Sequence, residues 1–360
     1  MTTVASIGGV KPSETTLALL EDIEQRIDPE VEEDFKDQWR DFLYGRFTGD
    51  IFTPRRNKLS PPTVPFPSVH INDAIEDLDL MMQMQLIGVS ASLNHPAVSP
   101  CLRANYGTGI LSTLFGAELF RMPRKTATLP TTRPCNDPEW MRAMVERGMP
   151  DLRTGLGEKV FAFGEYCAEL FSHYPKVQKY VIMYHPDLQG ALDICELLWG
   201  TEIFYSMYDE PELVHAAMEL ITDTYTAFMK AWQLMFPPEA DMNPHWGGFY
   251  HRGTILLRSD SAMNLSPELY REFSMPYDKK LLDTFGGGAV HFCGRGDHYI
   301  PDLCSLEGVY GINMSQPECN DMETIYRATV DRGIPLLGFS RARAEQDKGR
   351  KGGFSGHMHA

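Results

Sequence analysis

The segment GGGAVHFCGRGDHYIPDL, residues 286–303, sets an imidazole and a thiol two positions apart at His291 and Cys293. On an extended strand, residues i and i+2 point to one face, so the ring nitrogen and the sulfur can meet at one ion. Zinc accepts such a mixed donor set, and a catalytic zinc keeps three protein ligands and one open position. A packed strand with a hydrogen-bonded histidine accounts for the same residues without a metal. The local choices for a third ligand, His298, Cys304, Glu318 and Cys319, lie at no standard spacing.

Other reactive residues gather behind apolar runs. HWGGFYHRGTILLRSDSAMNLSPE carries His245, His251, Arg252, Arg258 and Asp260. Charge at the tip of an apolar strand must be paired, solvated or functional. Asp260 is therefore expected in catalysis and Arg258 in substrate binding. YHPDLQG offers His185 as a catalytic group, with Asp187 and Gln189 for substrate recognition. An ordinary turn with Asp187 near a helix N-terminus is the plainer account. RANYGTGILSTLFGAE presents Arg103, Asn105 and Tyr106 as pocket residues or as a tight turn. After VYGINM, Gln316 is expected to contact substrate and Glu318 to join the catalytic groups. No GxSxG element is present, and no GK[ST] follows GGGAV, so serine hydrolysis and a phosphate loop are unsupported.

These side chains need elements to hold them. EVEEDFKDQWRDFLYGRF, DAIEDLDLMMQMQLIGVSASL and PELVHAAMELITDTYTAFMKAW have helical spacing. SPELYREFSMPYDKKLLDTFGGG begins with Ser266 as N-cap and Pro267 in the first turn, is interrupted at Pro276 and stops at Gly286. Between the helices lie apolar runs of strand length: KYVIMYH, TILLRSD, GAVHFC, VYGINM and GIPLLGF. Alternation of this kind predicts α/β architecture with parallel strands. A (β/α)8 barrel and an open doubly wound sheet both fit. Polar residues collect at the carboxyl ends of the runs, where barrel active sites form.

The formal net charge is −16, from 33 basic and 49 acidic residues. That balance argues against a nucleic-acid partner and against an anionic membrane surface. No stretch approaches the roughly 18 apolar residues of a membrane span, and the N-terminus lacks the pattern of a secretory leader. Seven cysteines without CxxC spacing suit reduced thiols and predict a cytoplasmic protein.

The run SPELYREFSMPYDKKLLDTFGGGAVHFCGRGDHYIPDLCSLEGVYGINMSQPE resembles the uroporphyrinogen decarboxylase superfamily, which includes cobalamin-dependent methyltransferases. Its SPE-L-R-EF-PY helix, H-x-C-G strand end and N-x-x-QPE carry the likeness. DLQGALDICELLWGTEIFYSMYDEPELVHAAMELITD and YGTGILSTLFGAE extend it. The resemblance implies a (β/α)8 TIM barrel over residues 65–360, preceded by an N-terminal helical extension and proline-rich connection over residues 1–64. For the methyltransferase branch it implies His291 and Cys293 as zinc ligands, with a cysteine near the C-terminus as the third. SRARAEQDKGRKGGFSGHMHA, after Phe339, contains no cysteine, which leaves His357 or His359 as substitutes. The decarboxylase branch carries an R-Q-A-G-R motif that TPRRNK does not match. The activity implied is zinc-assisted methyl transfer between a small substrate or thiol and a corrinoid carried by a partner protein. The alternatives are a metal-free decarboxylase or lyase acting on a carboxylated substrate, and a non-catalytic binding relative.

Overall fold

The computed structural model describes residues 9–360, so the first eight residues of the expected extension lie outside it. Helices alternate with short strands: β1 (Ile51–Phe52), β2 (Cys101–Leu102), β3 (Glu118–Phe120), β4 (Thr131–Arg133), β5 (Ile182–Met183), β6 (Asn243–His245), β7 (Phe249–His251), β8 (Ile255–Arg258), β9 (Gly288–Phe292), β10 (Val309–Met314) and β11 (Met358–His359). Strands β8, β9 and β10 pair in parallel. The ladder continues through single bridges from Ile312 to Leu336 and from Leu336 to Met358, and β11 pairs in parallel with β1. A separate parallel pair joins β2 to β5. Two antiparallel hairpins, β3–β4 and β6–β7, stand outside this set.

The architecture is α/β, as the alternation predicts. The ladder does not close among the described residues, because no strand pairing joins β1 to β2 or β5 to β8. The chain chemistry explains the interruptions. Strands β1, β2 and β5 have two residues each and are flanked by Pro54, Pro100 and Pro186. Proline has no N–H to give to a ladder. At the second gap a side chain replaces the missing backbone acceptor: Leu256 N–H donates to His185 Nε2 at 2.9 Å. KYVIMYH and GIPLLGF also form less strand than their composition predicts. Lys179 and Tyr180 belong to the helix Pro175–Tyr180, and Leu336 alone makes bridges in the second run.

Strand alternation splits the interior into two cores. Ile255, Leu257, Val290, Phe292, Ile312 and Met314 face the helices and belong to the larger core. Leu256, Ala289, Leu337 and Phe52 face the other way and form a second core with Phe35, Trp39 and Phe42. Those three aromatic residues recur at helical spacing along Pro29–Leu43, so that helix covers the opposite face of the sheet. Residues on both sides of position 64 therefore share one ladder and one core. Continuing along the same face from Leu256 and Ala289, the period of two brings Arg258, His291 and Cys293 beyond the apolar floor.

Local signals place the next segments. Ser266 Oγ accepts from Leu269 N and caps the helix Pro267–Phe273. A second helix, Met275–Phe285, starts after Ser274, so the interruption expected at Pro276 is present. It ends at Gly286 with φ +71°. Among the described residues, no helix is long and apolar enough to cross a membrane.

Candidate metal centre

The ladder register brings three donors together. His291 lies opposite Arg258 on β8 and opposite Asn313 on β10. Asp260 and Cys293 follow the carboxyl ends of β8 and β9. One ligand atom each from Asp260, His291 and Cys293 falls within 4.8 Å of the other two. His291 Nε2 is 3.3 Å from Cys293 Sγ and 3.6 Å from Asp260 Oδ1. Ligand atoms around a tetrahedral zinc, with bonds of about 2.0–2.3 Å, lie about 3.4–3.6 Å apart. The mixed oxygen, nitrogen and sulfur set also suits zinc. The residues fit the metal.

The third donor of this cluster is Asp260, which the sequence offered for catalysis. His357 and His359 are held elsewhere. His359 Nδ1 accepts from Gly338 N, and its ring packs against Trp39 at 4.5 Å in the second core. His357 lies beside Gly333, at the amino-terminal end of the ladder, away from Cys293.

Neighbouring groups orient the donors. Asn313 Nδ2 donates to Leu337 O at 2.6 Å, which turns Oδ1 toward His291 Nδ1. His291 Nδ1–H then donates to that oxygen, and Nε2 presents its lone pair to Cys293 and Asp260. Burial, followed by the charge on Arg258, lowers the His291 pKa and keeps the ring neutral. Burial raises the Cys293 pKa, so the free thiol stays protonated. The Cys293 main-chain N–H donates to Asp260 Oδ1 at 2.7 Å. Asn313→Ala is expected to weaken zinc binding about 10–100-fold, the usual effect of losing a group that orients a ligating histidine. Competition with a chromophoric chelator measures this.

Asp260 is anchored from behind. The Asp193 carboxylate accepts from the main-chain N–H groups of Asp260 at 3.1 Å and Ser261 at 2.7 Å. Asp193 belongs to the helix Ala191–Trp199, whose start sits directly on β8. A Cβ at Gly190 would lie 2.1 Å from Arg258 O, so the approach needs a glycine. The loop after Cys293 is fixed as well. Gln316 Oε1 accepts from Gly294 N at 2.6 Å, and Asn320 Oδ1 accepts from Gly296 N at 2.7 Å. A cavity of about 590 Å³ opens beside the cluster, with Gln189, Asp193, Glu196, Asp260 and Ser261 in its wall. Gln189 holds φ +60°, uncommon for a residue with a side chain.

The remaining expected site residues separate into two groups. Asp187 receives Arg103 Nη1 at 3.0 Å on one oxygen and Arg258 Nε at 3.0 Å on the other. Gln189 Nε2 also donates to Asp187, and Arg103 Nε donates to Asn105 Oδ1 at 2.9 Å. Burial works to raise the Asp187 pKa, but Arg258 and Arg103 outweigh it and hold the carboxylate ionised. The other group is placed differently from expectation. His185 uses Nε2 on Leu256 and faces Pro186 O with Nδ1 at 2.8 Å, so it braces two strands and has no nitrogen left for proton transfer. Burial lowers its pKa to about 4. Tyr106 is packed inside the larger core against Phe163. Glu318 is exposed on the turn Pro317–Cys319, outside the donor cluster. Sequence reasoning missed Asn313, Asn320 and Asp193 as site groups. For Asn313 a signal existed: it is a polar residue in an apolar strand.

A buried carboxyl behind Asp193 carries a pH dependence. Burial, with the nearby Asp193 charge, pushes the Asp278 pKa from its ordinary 3.8 up to about 7. An elevated folded pKa contributes stability that is complete below the unfolded value and is lost as pH rises through about 7. Asp278→Asn is therefore expected to match wild type near pH 4 and to exceed it near pH 8, by on the order of 2–4 kcal/mol. Urea denaturation across that range checks it.

No family model matches the sequence, and no curated protein does. Among solved structures, a methyltransferase from Methanosarcina mazei superposes with a TM-score of 0.59 at 15% identity. The match covers 85% of this chain and 82% of that one. At this identity the likeness is one of fold: the chain shares the α/β architecture of that methyltransferase across most of its length.

Proposed function

We propose that this chain is a (β/α)8-type enzyme that transfers a methyl group with the help of zinc held by Asp260, His291 and Cys293. The observation that carries the proposal is the convergence of those three donors around a histidine whose free nitrogen is set by Asn313. The eight extended stretches at β1, β2, β5, β8, β9, β10, Leu336 and β11 follow chain order and would be the staves of the barrel. The fold shared with the Methanosarcina methyltransferase supports the reaction class.

Bound zinc would supply Lewis acidity, stabilising a thiolate or polarising an oxygen at neutral pH. The protein does the positioning. Asp260, His291 and Cys293 supply two anionic donors and one neutral donor once the thiol is deprotonated. Asn313 fixes the imidazole, and Asp193 fixes the Asp260 main chain. The cavity beside Gln189 and Asp260 would admit a small substrate. The methyl carrier in this proposal is a corrinoid borne by a partner protein, with the cobalt chemistry its own.

Elemental analysis of the purified protein and a transfer assay test the reading together. The expected result is about one zinc per chain and methyl transfer from a panel of thioethers, ethers and alcohols to a reduced corrinoid. Full turnover in a metal-free preparation would overturn the zinc reading. Release of carbon dioxide from carboxylated substrates, indifferent to chelators, would favour a lyase instead.

A further inference from the structure

We propose that the groove between the helix Glu14–Arg26 and the proline-rich connection is a docking site for a basic amphipathic helix of a partner protein. The groove has no residue in common with the metal centre or with the cavity beside it.

One helix carries two faces. Leu19, Leu20 and Ile23 are buried and seat the helix Glu14–Arg26 on the larger core. Glu14, Leu17, Ala18, Glu21 and Gln25 recur at i, i+3, i+4, i+7 and i+11, so they form a second line along the same helix. Leu17 on that line is only half-buried, and Ala18 and Glu21 are exposed. Val64 and Tyr174 make the opposite wall, and a volume of about 430 Å³ lies between the two.

Polar side chains hold the walls apart. Asp22 Oδ1 accepts from Thr63 N at 2.9 Å and from Thr63 Oγ1 at 2.5 Å. One turn later Arg26 Nε donates to Ser60 O at 3.1 Å and Nη1 to Asp22 Oδ2 at 2.7 Å. These bonds fix the distance of the connection from the helix, and the ring of each proline at 61, 62, 65 and 67 restricts its backbone. The groove is therefore pre-formed, and little ordering opposes binding.

Charge selects the occupant. Glu14 and Glu21 stand at the groove, and among the described residues neither forms an ion pair; Glu21 accepts only from Gln25 Nε2. Seven positions separate them, about 10 Å along the helix axis. A partner helix laid alongside would meet them with Lys or Arg two turns apart and set apolar side chains on Leu17, Ala18 and Val64. From Glu14 to Gln25 the line runs about 16 Å, the length of three turns. Leu59 and Phe66 on the connection are exposed as well and add apolar surface nearby. A second copy of this chain docked by two-fold symmetry would bring Glu14 and Glu21 toward like charges, and the net charge of −16 opposes it. An anionic lipid surface is repelled for the same reason.

The test titrates three synthetic peptides of about four helical turns into the full-length protein. In the first, leucines occupy one helical face and lysines the other. The second has the same composition in scrambled order, and the third replaces each lysine by glutamate. The first is expected to bind about tenfold or more tightly than the second, and the third not measurably. Hydrogen exchange should slow at residues 14–25 and 60–66. Ala18→Arg, at an exposed helical position, is expected to abolish the preference, and Glu21→Lys to weaken it. Leu234→Arg, at another exposed apolar position, should leave it intact. Equal binding of the scrambled or the glutamate peptide, protection confined to other segments, or unchanged binding by Ala18→Arg would overturn the proposal. So would dimerisation of the chain that Ala18→Arg abolishes, which would give the groove to a second copy. Zinc and chelators should leave peptide binding unchanged, so the metal reading and the groove stand or fall separately.

Discussion

Cys293→Ser is expected to lower zinc affinity by about 100-fold or more while leaving the metal-free protein folded. Losing a group that only orients a ligand typically costs about 10–100-fold, and here a ligand itself is removed. Sulfur is the softest donor in the set, and a serine hydroxyl does not deprotonate at neutral pH to replace the thiolate charge. The fold should survive because the link between these strands runs through the main chain: Cys293 N–H, not its side chain, donates to Asp260. The side chain itself makes only a 3.5 Å contact with Ser315 Oγ and the contact with His291. Zinc content under a fixed chelator should fall to a small fraction of wild type. The melting temperature of the metal-free variant should stay within a few degrees of the metal-free parent, while the stabilisation that zinc gives wild type disappears. A Cys293→Ser protein that retains stoichiometric zinc would remove Cys293 from the ligand set.

Asp187→Ala should be the most destabilising single change near the site. It strands Arg103 and Arg258 beside one another with no carboxylate between them. Removing one partner of a buried ion pair costs about 3–5 kcal/mol, because the remaining charge stays desolvated. For a chain of this length, that corresponds to a fall in melting temperature of roughly 5 °C. Asp187→Asn keeps the volume but halves the acceptor capacity, so it should fall between alanine and wild type. Combining Asp187→Ala with Arg258→Gln should recover part of the loss, since two residues in contact do not add. Chemical denaturation of the four proteins closes that cycle. Additive losses would show that Asp187 and Arg258 are not coupled.

Much of the site was legible because strand periodicity is strict. His291 and Cys293 had to share a face, and the apolar run before them had to be buried. The missing partner was not legible. Asp260 is 31 positions before His291, and only the parallel register of β8 against β9 brings the two together. The C-terminal histidines were substitutes for the cysteine that the resemblance implies, but His359 on β11 lies in an aromatic core and His357 at the far end of the ladder. His185 illustrates a different difficulty. Its position after a strand suggested chemistry, yet the gap left by Pro186 made it a substitute backbone acceptor. Its neighbour Asp187 was placed with the arginines by contacts across 71 and 84 residues, which spacing along one chain does not encode. Helix boundaries fared better where local chemistry fixed them, as at Ser266, Pro276 and Gly286.

The pairing of β1 with β11 also imposes an order in time. Thr53 Oγ1 reaches Ala360 O across 307 positions, and Asp50 Oδ1 accepts from Phe354 N across 304. During synthesis, Ile51 and Phe52 emerge about 300 residues before the strand they pair with. Until then Trp39, Phe42 and Phe52 lack His359 as a neighbour, and one edge of β1 has no hydrogen-bonding partner. Contacts so distant along the chain slow folding and prolong the exposure of apolar surface. Synthesis must therefore run on through about 300 further residues before β1 can be locked in place.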